Sequence, residues 1–233
     1  MSPRRCGGIT LVEMMLALTL GLWMVATLLP VVAHQLQEQR RLLRLTRLTQ
    51  DLRISGELIA RDLRRSGHWG SPADALWRSA ADGPRPANPY QGVLVDTASH
   101  VVYRYSRDPQ EDQVAGSNES FGLRVHPVQA SLDLRLSGPR LAPGTGDQWQ
   151  ALTDPEQVRV TRLQISLQTR QRSLLDACAV TSCTGTGCGP ARTTHLVTIE
   201  LTLASRQEPD LQRSWRSTVL LRNAERHGEC PSP

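Results

Sequence analysis

The chain has 233 residues, 39% of them apolar, which is enough for a globular core. Its formal charge of +5 rests on arginine alone, since all 27 basic residues are Arg and none is Lys. By region, residues 1–33 carry +1, residues 34–70 carry +4 and residues 71–233 are neutral, which argues against a nucleic-acid-binding head and leaves only the basic stretch 34–70 as a contact for polyanions.

The apolar content is uneven. From Ile9 to Ala33 the sequence has one charged residue, Glu13. A helix of that length, at about 1.5 Å per residue, crosses the roughly 30 Å hydrocarbon layer of a bilayer. An ordinary secretory signal is cut after its apolar stretch, near small residues. Here the small residues Gly7 and Gly8 stand before the stretch, after Arg4, Arg5 and Cys6. Glu13 is expensive in hydrocarbon, by about 2.5–3.5 kcal/mol, and calls for a cationic partner. Its other reading is a helix cap, because the helix macrodipole favours an acid in the first turn. Pro30 removes a helical hydrogen bond and predicts a kink.

From His34 to Ser66 there is no proline, and Leu45, Leu48, Leu52, Ile59 and Leu63 recur at helical spacing between Arg, Gln and Glu. That pattern predicts an amphipathic helix with one buried stripe, continuous with the apolar run and stopped at Gly67. Arg61, Asp62 and Arg64 are expected either on a solvated face with local ion pairs or in contacts with a neighbouring subunit.

Residues 71–92 are rich in Pro, Ala, Asp and Gly and read as a loop. Strand character follows at 101–105, 122–125, 132–136, 158–168, 195–203 and 215–222. Val197, Ile199, Leu201 and Leu203 alternate, so one side of the sheet is apolar and needs a cover, which the stem stripe supplies. The fold class is therefore α+β, a long N-terminal helix packed on an antiparallel head sheet. The expected division is a leader 1–8, a membrane helix 9–33, a stem 34–70 and a head 71–233.

Cys6 lies in the leader; Cys178, Cys183, Cys188 and Cys230 lie in the head. An even count beyond a membrane anchor points to an oxidising compartment and two disulfides, with three pairings open. A zinc site would need other spacings, and no His stands among these cysteines. The six histidines are scattered without ligand spacing, and Glu111 and Asp112 sit in polar loop sequence. The chain has no nucleophile elbow, phosphate loop or dinucleotide fingerprint, so neither an enzyme nor a cofactor is expected.

The run Gly8-Ile9-Thr10-Leu11-Val12-Glu13 resembles the processing signature of type IV pilins and type II secretion pseudopilins. The resemblance implies cleavage between Gly8 and Ile9 by a prepilin peptidase and N-methylation of Ile9, with Ile9 where Phe is usual. It implies that Glu13 neutralises the amino terminus of a neighbouring subunit, and that Pro30 marks a place where the stem bends in the fibre. Arg61-Asp62-Leu63-Arg64 followed by Gly67-His68-Trp69-Gly70 resembles PilW-type minor pilins, with His68 where an aromatic is common. J-type pseudopilins share the first part of that segment.

Arg4 and Arg5 favour a cytoplasmic leader while Arg40, Arg41, Arg44 and Arg47 pull the other way, so charge leaves orientation open. The cysteines and the resemblance place the head in the periplasm. The implied partners are prepilin peptidase, other minor and major pilins, a tip adhesin and the inner membrane. A membrane-tethered protein that captures DNA through its basic stem is the rival of a different class.

Overall fold

The computed structural model describes residues 10–72, 87–183, 185 and 188–231. The chain divides after Arg47 into two compact units, which are taken separately below. One helix, α1, runs from Leu11 to Leu63 and stays continuous through Pro30. Residues 64–67 leave it in tight turns, with the Arg65 and Ser66 amides donating to the Asp62 and Leu63 carbonyls. Gly67, at φ +71°, then takes the left-handed conformation that a side chain would strain. The predicted stop is therefore real, although regular helix ends three residues before Ser66.

Among the described residues of the second unit nine strands follow: β1 (Val93–Thr97), β2 (His100–Arg104), β3 (Ser120–Val125), β4 (Leu132–Ser137), β5 (Gln148–Ala151), β6 (Val158–Ser173), β7 (Ala191–Ser205), β8 (Gln212–Leu220) and β9 (Glu225–His227). All pair antiparallel with their neighbours. They form not one sheet but two, a five-stranded meander β1-β2-β3-β4-β5 and a second sheet β6-β7-β8 with β9 beside β7. The sheets meet where the Ile165 amide of β6 donates to the Ala98 carbonyl in the β1–β2 turn.

Alternation builds the core. Val197, Ile199, Leu201 and Leu203 on β7 are all at 0% exposure, as are Val101 and Val102 on β2. The helix contributes Leu48, Leu52, Ser55, Gly56, Ile59, Ala60 and Leu63 as buried positions, spaced three and four apart. Leu45, assigned to the same stripe from its spacing, is only half-buried. The stripe also contains small residues that leucine spacing does not reveal. Gly56 is one because Trp215 of β8 lies against it, so that a Cβ there would stand 2.5 Å from the indole ring.

The four head cysteines pair as Cys178–Cys230 and Cys183–Cys188, with Cα separations of 5.6 and 5.8 Å. Both bridges sit at the loop end of the long β6–β7 hairpin, and the first ties the tail of the chain to that loop.

Two stability outcomes follow. Gly56→Ala pushes the Trp215 ring off the helix and is expected to cost about 1–3 kcal/mol in thermal or denaturant unfolding; combining it with Trp215→Ala relieves the overlap, so the two changes are less than additive. Loop-closure entropy also ranks the disulfides. Removing Cys178–Cys230, whose cysteines are 52 residues apart, costs about 4 kcal/mol, against about 2 kcal/mol for Cys183–Cys188, five apart. Urea unfolding of the paired Cys→Ser variants measures that difference.

Candidate functional site: the apolar helix and the anchor at its far end

In the first unit the helix offers its apolar residues outward. Leu11, Leu22, Trp23 and Leu29 are all more than 60% exposed, and the most apolar 18-residue window has a mean hydropathy of 2.1 with none of it buried. By length and composition this helix can cross a membrane. Its internal polar groups are already satisfied. The Thr19 and Thr27 hydroxyls donate to the Leu16 and Met24 carbonyls at 2.9 Å, which removes their penalty in a medium without water.

Glu13 sits at the third helical position, where it closes a capping box. Its carboxylate accepts from the Thr10 amide and hydroxyl at 3.2 Å, while its own amide donates back to Thr10 Oγ1 at 3.3 Å. These bonds satisfy the helix start but bring no positive charge to the carboxylate. Gly8 and Ile9, the predicted processing residues, lie outside the described residues.

In the second unit the segment Arg61–Gly70 forms a seam between the end of the helix and the sheets. Asp62 does not lie on a solvated face. Its two oxygens accept from the hydroxyls of Tyr103, at a very short separation, and of Tyr105 at 2.9 Å. Burial, followed by the Asp62 carboxylate, pushes both phenols well above their usual range, so they stay protonated and donate. Phe121 stacks on Tyr105 at 4.0 Å, and the Arg65 guanidinium lies 4.2 Å from the centroid of the same Tyr105 ring. Arg61 and Arg64 remain exposed.

Gly67-His68-Trp69-Gly70 extends the seam through its backbone. The Gly67 amide donates to the Arg104 carbonyl at 2.7 Å, and the His68 carbonyl accepts from the Ser106 amide at 2.9 Å. Asn88 and Asn223 reach in from distant loops to the Gly67 and Ser66 carbonyls. Trp69 is buried. The Gly70 amide meets Glu111, which also accepts from the Tyr90 hydroxyl at 2.7 Å. Burial raises the Glu111 carboxyl, and bonds from Tyr90, the Gly70 amide, Ser106 and the Gln113 amide outweigh it, holding the group below its usual range. Glu111, read from sequence as a solvated loop acid, is instead a bracket for this loop.

Sequence reasoning missed the tyrosine partners of Asp62, 41 and 43 residues away. It also missed Arg135, fully buried, which bonds Asp147 at 2.5 Å and the Arg140 and Leu141 carbonyls. The alternation of Tyr103, on β2, with Tyr105, just beyond its end, is the available signal for the first; nothing marks the second. Among the described residues no group of three or more His, Cys, Asp or Glu could hold a metal ion.

Compared with known families, residues 41–221 match the model of prepilin peptidase-dependent protein B. The chain belongs to that family. The match begins beyond the apolar run, so it rests on the stem and head and is independent of the leader motif. No curated protein and no solved structure matches the chain. Family membership makes this a pilin-like protein processed by prepilin peptidase.

The seam has a pH signature. A phenol whose folded pKa is raised favours folding fully below its unfolded value of about 10 and loses that contribution as pH rises further. Stability measured by denaturant unfolding is therefore expected to fall above about pH 10. The Tyr103→Phe/Tyr105→Phe variant starts less stable at neutral pH and shows a flatter alkaline fall.

Proposed function

We propose that the chain is a PilW-type minor pilin that helps prime assembly of a type IV pilus, and that it carries out no catalysis itself. The observation that supports this best is an apolar helix that no described residue covers, in a protein whose stem and head match a prepilin peptidase-dependent family. Such a surface needs lipid before assembly and other apolar helices after it. In this reading the leader 1–8 is removed between Gly8 and Ile9, Ile9 is N-methylated, and residues 9–33 hold the subunit in the inner membrane. The stem 34–70 carries the head 71–233 into the periplasm, where its two disulfides can persist. Other pilins, and a tip adhesin, are the neighbours, and adhesion and twitching motility are the outputs.

Glu13 supplies the docking chemistry. Its capping box is a local arrangement, and a charged amine at Ile9 of a neighbouring subunit offers the cation that Thr10 lacks. Pro30 has no amide hydrogen to give, which makes its turn the easiest place for the helix to unwind within a fibre.

Expression with and without prepilin peptidase tests the reading. With the peptidase the intact mass should drop by residues 1–8 and gain one methyl group, and wild-type protein should appear in the sheared pilus fraction. Glu13→Gln should be cleaved yet stay in the membrane. An unchanged precursor mass defeats the proposal, and a cleaved product absent from pili but required for secretion points to the pseudopilin machine.

A further inference from the structure

The second sheet has an edge that the described fold leaves open. β6 is its outermost strand on one side, since the order is β6-β7-β8 with β9 beside β7. In an antiparallel sheet the amide and carbonyl of one residue turn to the same flank, and the flank alternates along the strand. Three bonds fix the alternation in β6. The Arg170 carbonyl accepts from the Thr194 hydroxyl of β7, and the Leu174 amide, just past the strand, donates to the Pro190 carbonyl, so even-numbered residues turn toward β7. The Ile165 amide donates the other way, to the Ala98 carbonyl in the β1–β2 turn. Beyond that contact Leu167, Thr169, Gln171 and Ser173 hold their amides and carbonyls outward, and among the described residues nothing bonds these backbone groups.

The open run from Leu167 to Ser173 is about 20 Å long, the length of an ordinary strand. From Gln168 to Ser173 both of its faces are exposed. It is also held in place. Its register with β7 is unbroken as far as Ser173 and Ala191, β9 covers the far flank of β7 there, and Cys178–Cys230 ties the tail to the loop beyond. Proteins blunt such edges with a proline, a bulge or charge. This run has neither proline nor bulge; it has Arg170 and Arg172, both exposed and without an ion pair among the described residues. The two arginines discriminate between occupants. A second copy of β6 laid antiparallel along the edge would bring like charges onto one face, which destabilises the pairing. A strand with carboxylates at alternate positions reverses that penalty.

We propose that the outer edge of β6, from Leu167 to Ser173, takes an extended acid-bearing strand of another protein as a further strand of the sheet. Main-chain hydrogen bonds at Leu167, Thr169, Gln171 and Ser173 supply the affinity, and side chains supply the choice. Carboxylates two residues apart on the incoming strand stand about 6.7 Å from each other, the same spacing as Arg170 and Arg172 on their shared face. The residues between those acids face the side of Leu167, Thr169 and Gln171, where β-branched side chains suit a pleated surface. Because β6 is already ordered by β7, only the incoming strand loses conformational freedom on docking. The arginines set register, and the backbone does the holding. The inference goes beyond the assembly role and uses neither the leader, the membrane helix nor Glu13.

The test uses full-length protein in nonionic detergent and two fluorescent seven-residue peptides that alternate threonine with glutamate, identical except that every backbone amide of the second is N-methylated. The first should bind by anisotropy, and the second, which keeps the charge but cannot pair, should bind at least about 10-fold more weakly. Hydrogen exchange across Leu167–Ser173 should slow with the first peptide alone. Gln171→Pro removes one outward amide and no bond to β7, so it should keep the urea midpoint while weakening the first peptide at least about 10-fold. Arg170→Glu/Arg172→Glu, at exposed positions, should move the preference to the same peptide with lysine in place of glutamate. Equal binding of the two peptides reduces the site to charge attraction and overturns the proposal. So does absence of binding at millimolar peptide, unchanged exchange in the complex, wild-type affinity in Gln171→Pro, or a dimer of this chain that protects the same run with no peptide present.

Discussion

The constraint on which the rest depends is that one helix must serve two surroundings. Residues from Leu11 onward present Leu, Val, Met and Trp outward, uncovered by any of the described residues. From Leu48 to Leu63 the same helix buries a stripe. That second part is not an accessory to the head but part of its core. Gly56 touches Trp215 of the second sheet, and Asp62 is bonded by Tyr103 of the first. The two sheets also meet directly, where the Ile165 and Val160 amides donate to the Ala98 and Ala130 carbonyls, so helix and sheets share one core. Each large apolar side chain in the stripe contributes on the order of 1.5–3 kcal/mol by burial. The tyrosine bonds then fix where along the helix the sheets sit.

Much of this was legible in the sequence, and what was not shares a physical reason. The leucine stripe, the alternation of Val197 to Leu203 and the strands near 101, 122, 132, 158, 195 and 215 are local patterns, and local patterns survive without coordinates. β1 was lost to a preceding loop rich in Pro and Gly. β5, whose four residues are mostly exposed, and β9, three residues long, lack an apolar face to announce them. The division into two sheets could not be read because it depends on where strand pairing ceases, not on what any strand contains.

The same holds for the sites. Asp62 sits among arginines at spacings that predict solvated ion pairs, and only its distant tyrosines reveal an anchor. The neutral charge of the head is a sum that says nothing of how strand pairing distributes it. Antiparallel pairing set Arg172, Arg192 and Arg226 abreast although 20 and 34 residues separate them along the chain. The disulfide pairing, with three possibilities open from spacing, is decided by the hairpin that brings Cys178 to the tail.

Glu13 shows how a residue can satisfy a cap and still be poised for something else. The bonds from Thr10 answer the hydrogen-bonding needs of the helix start, and a cap of this kind is worth about 1 kcal/mol. Holding an ionised carboxylate in hydrocarbon costs about 2.5–3.5 kcal/mol on insertion scales. The cap therefore falls short of the penalty, and the shortfall can be met only by a cation or by water at the membrane surface. In the proposed reading that cation is the amino group that cleavage at Gly8 would create, on this subunit or on the next. Cleavage would thus do more than shorten the protein: it would generate the counter-charge that makes a buried Glu13 tolerable, coupling maturation to the packing of one helix beside another.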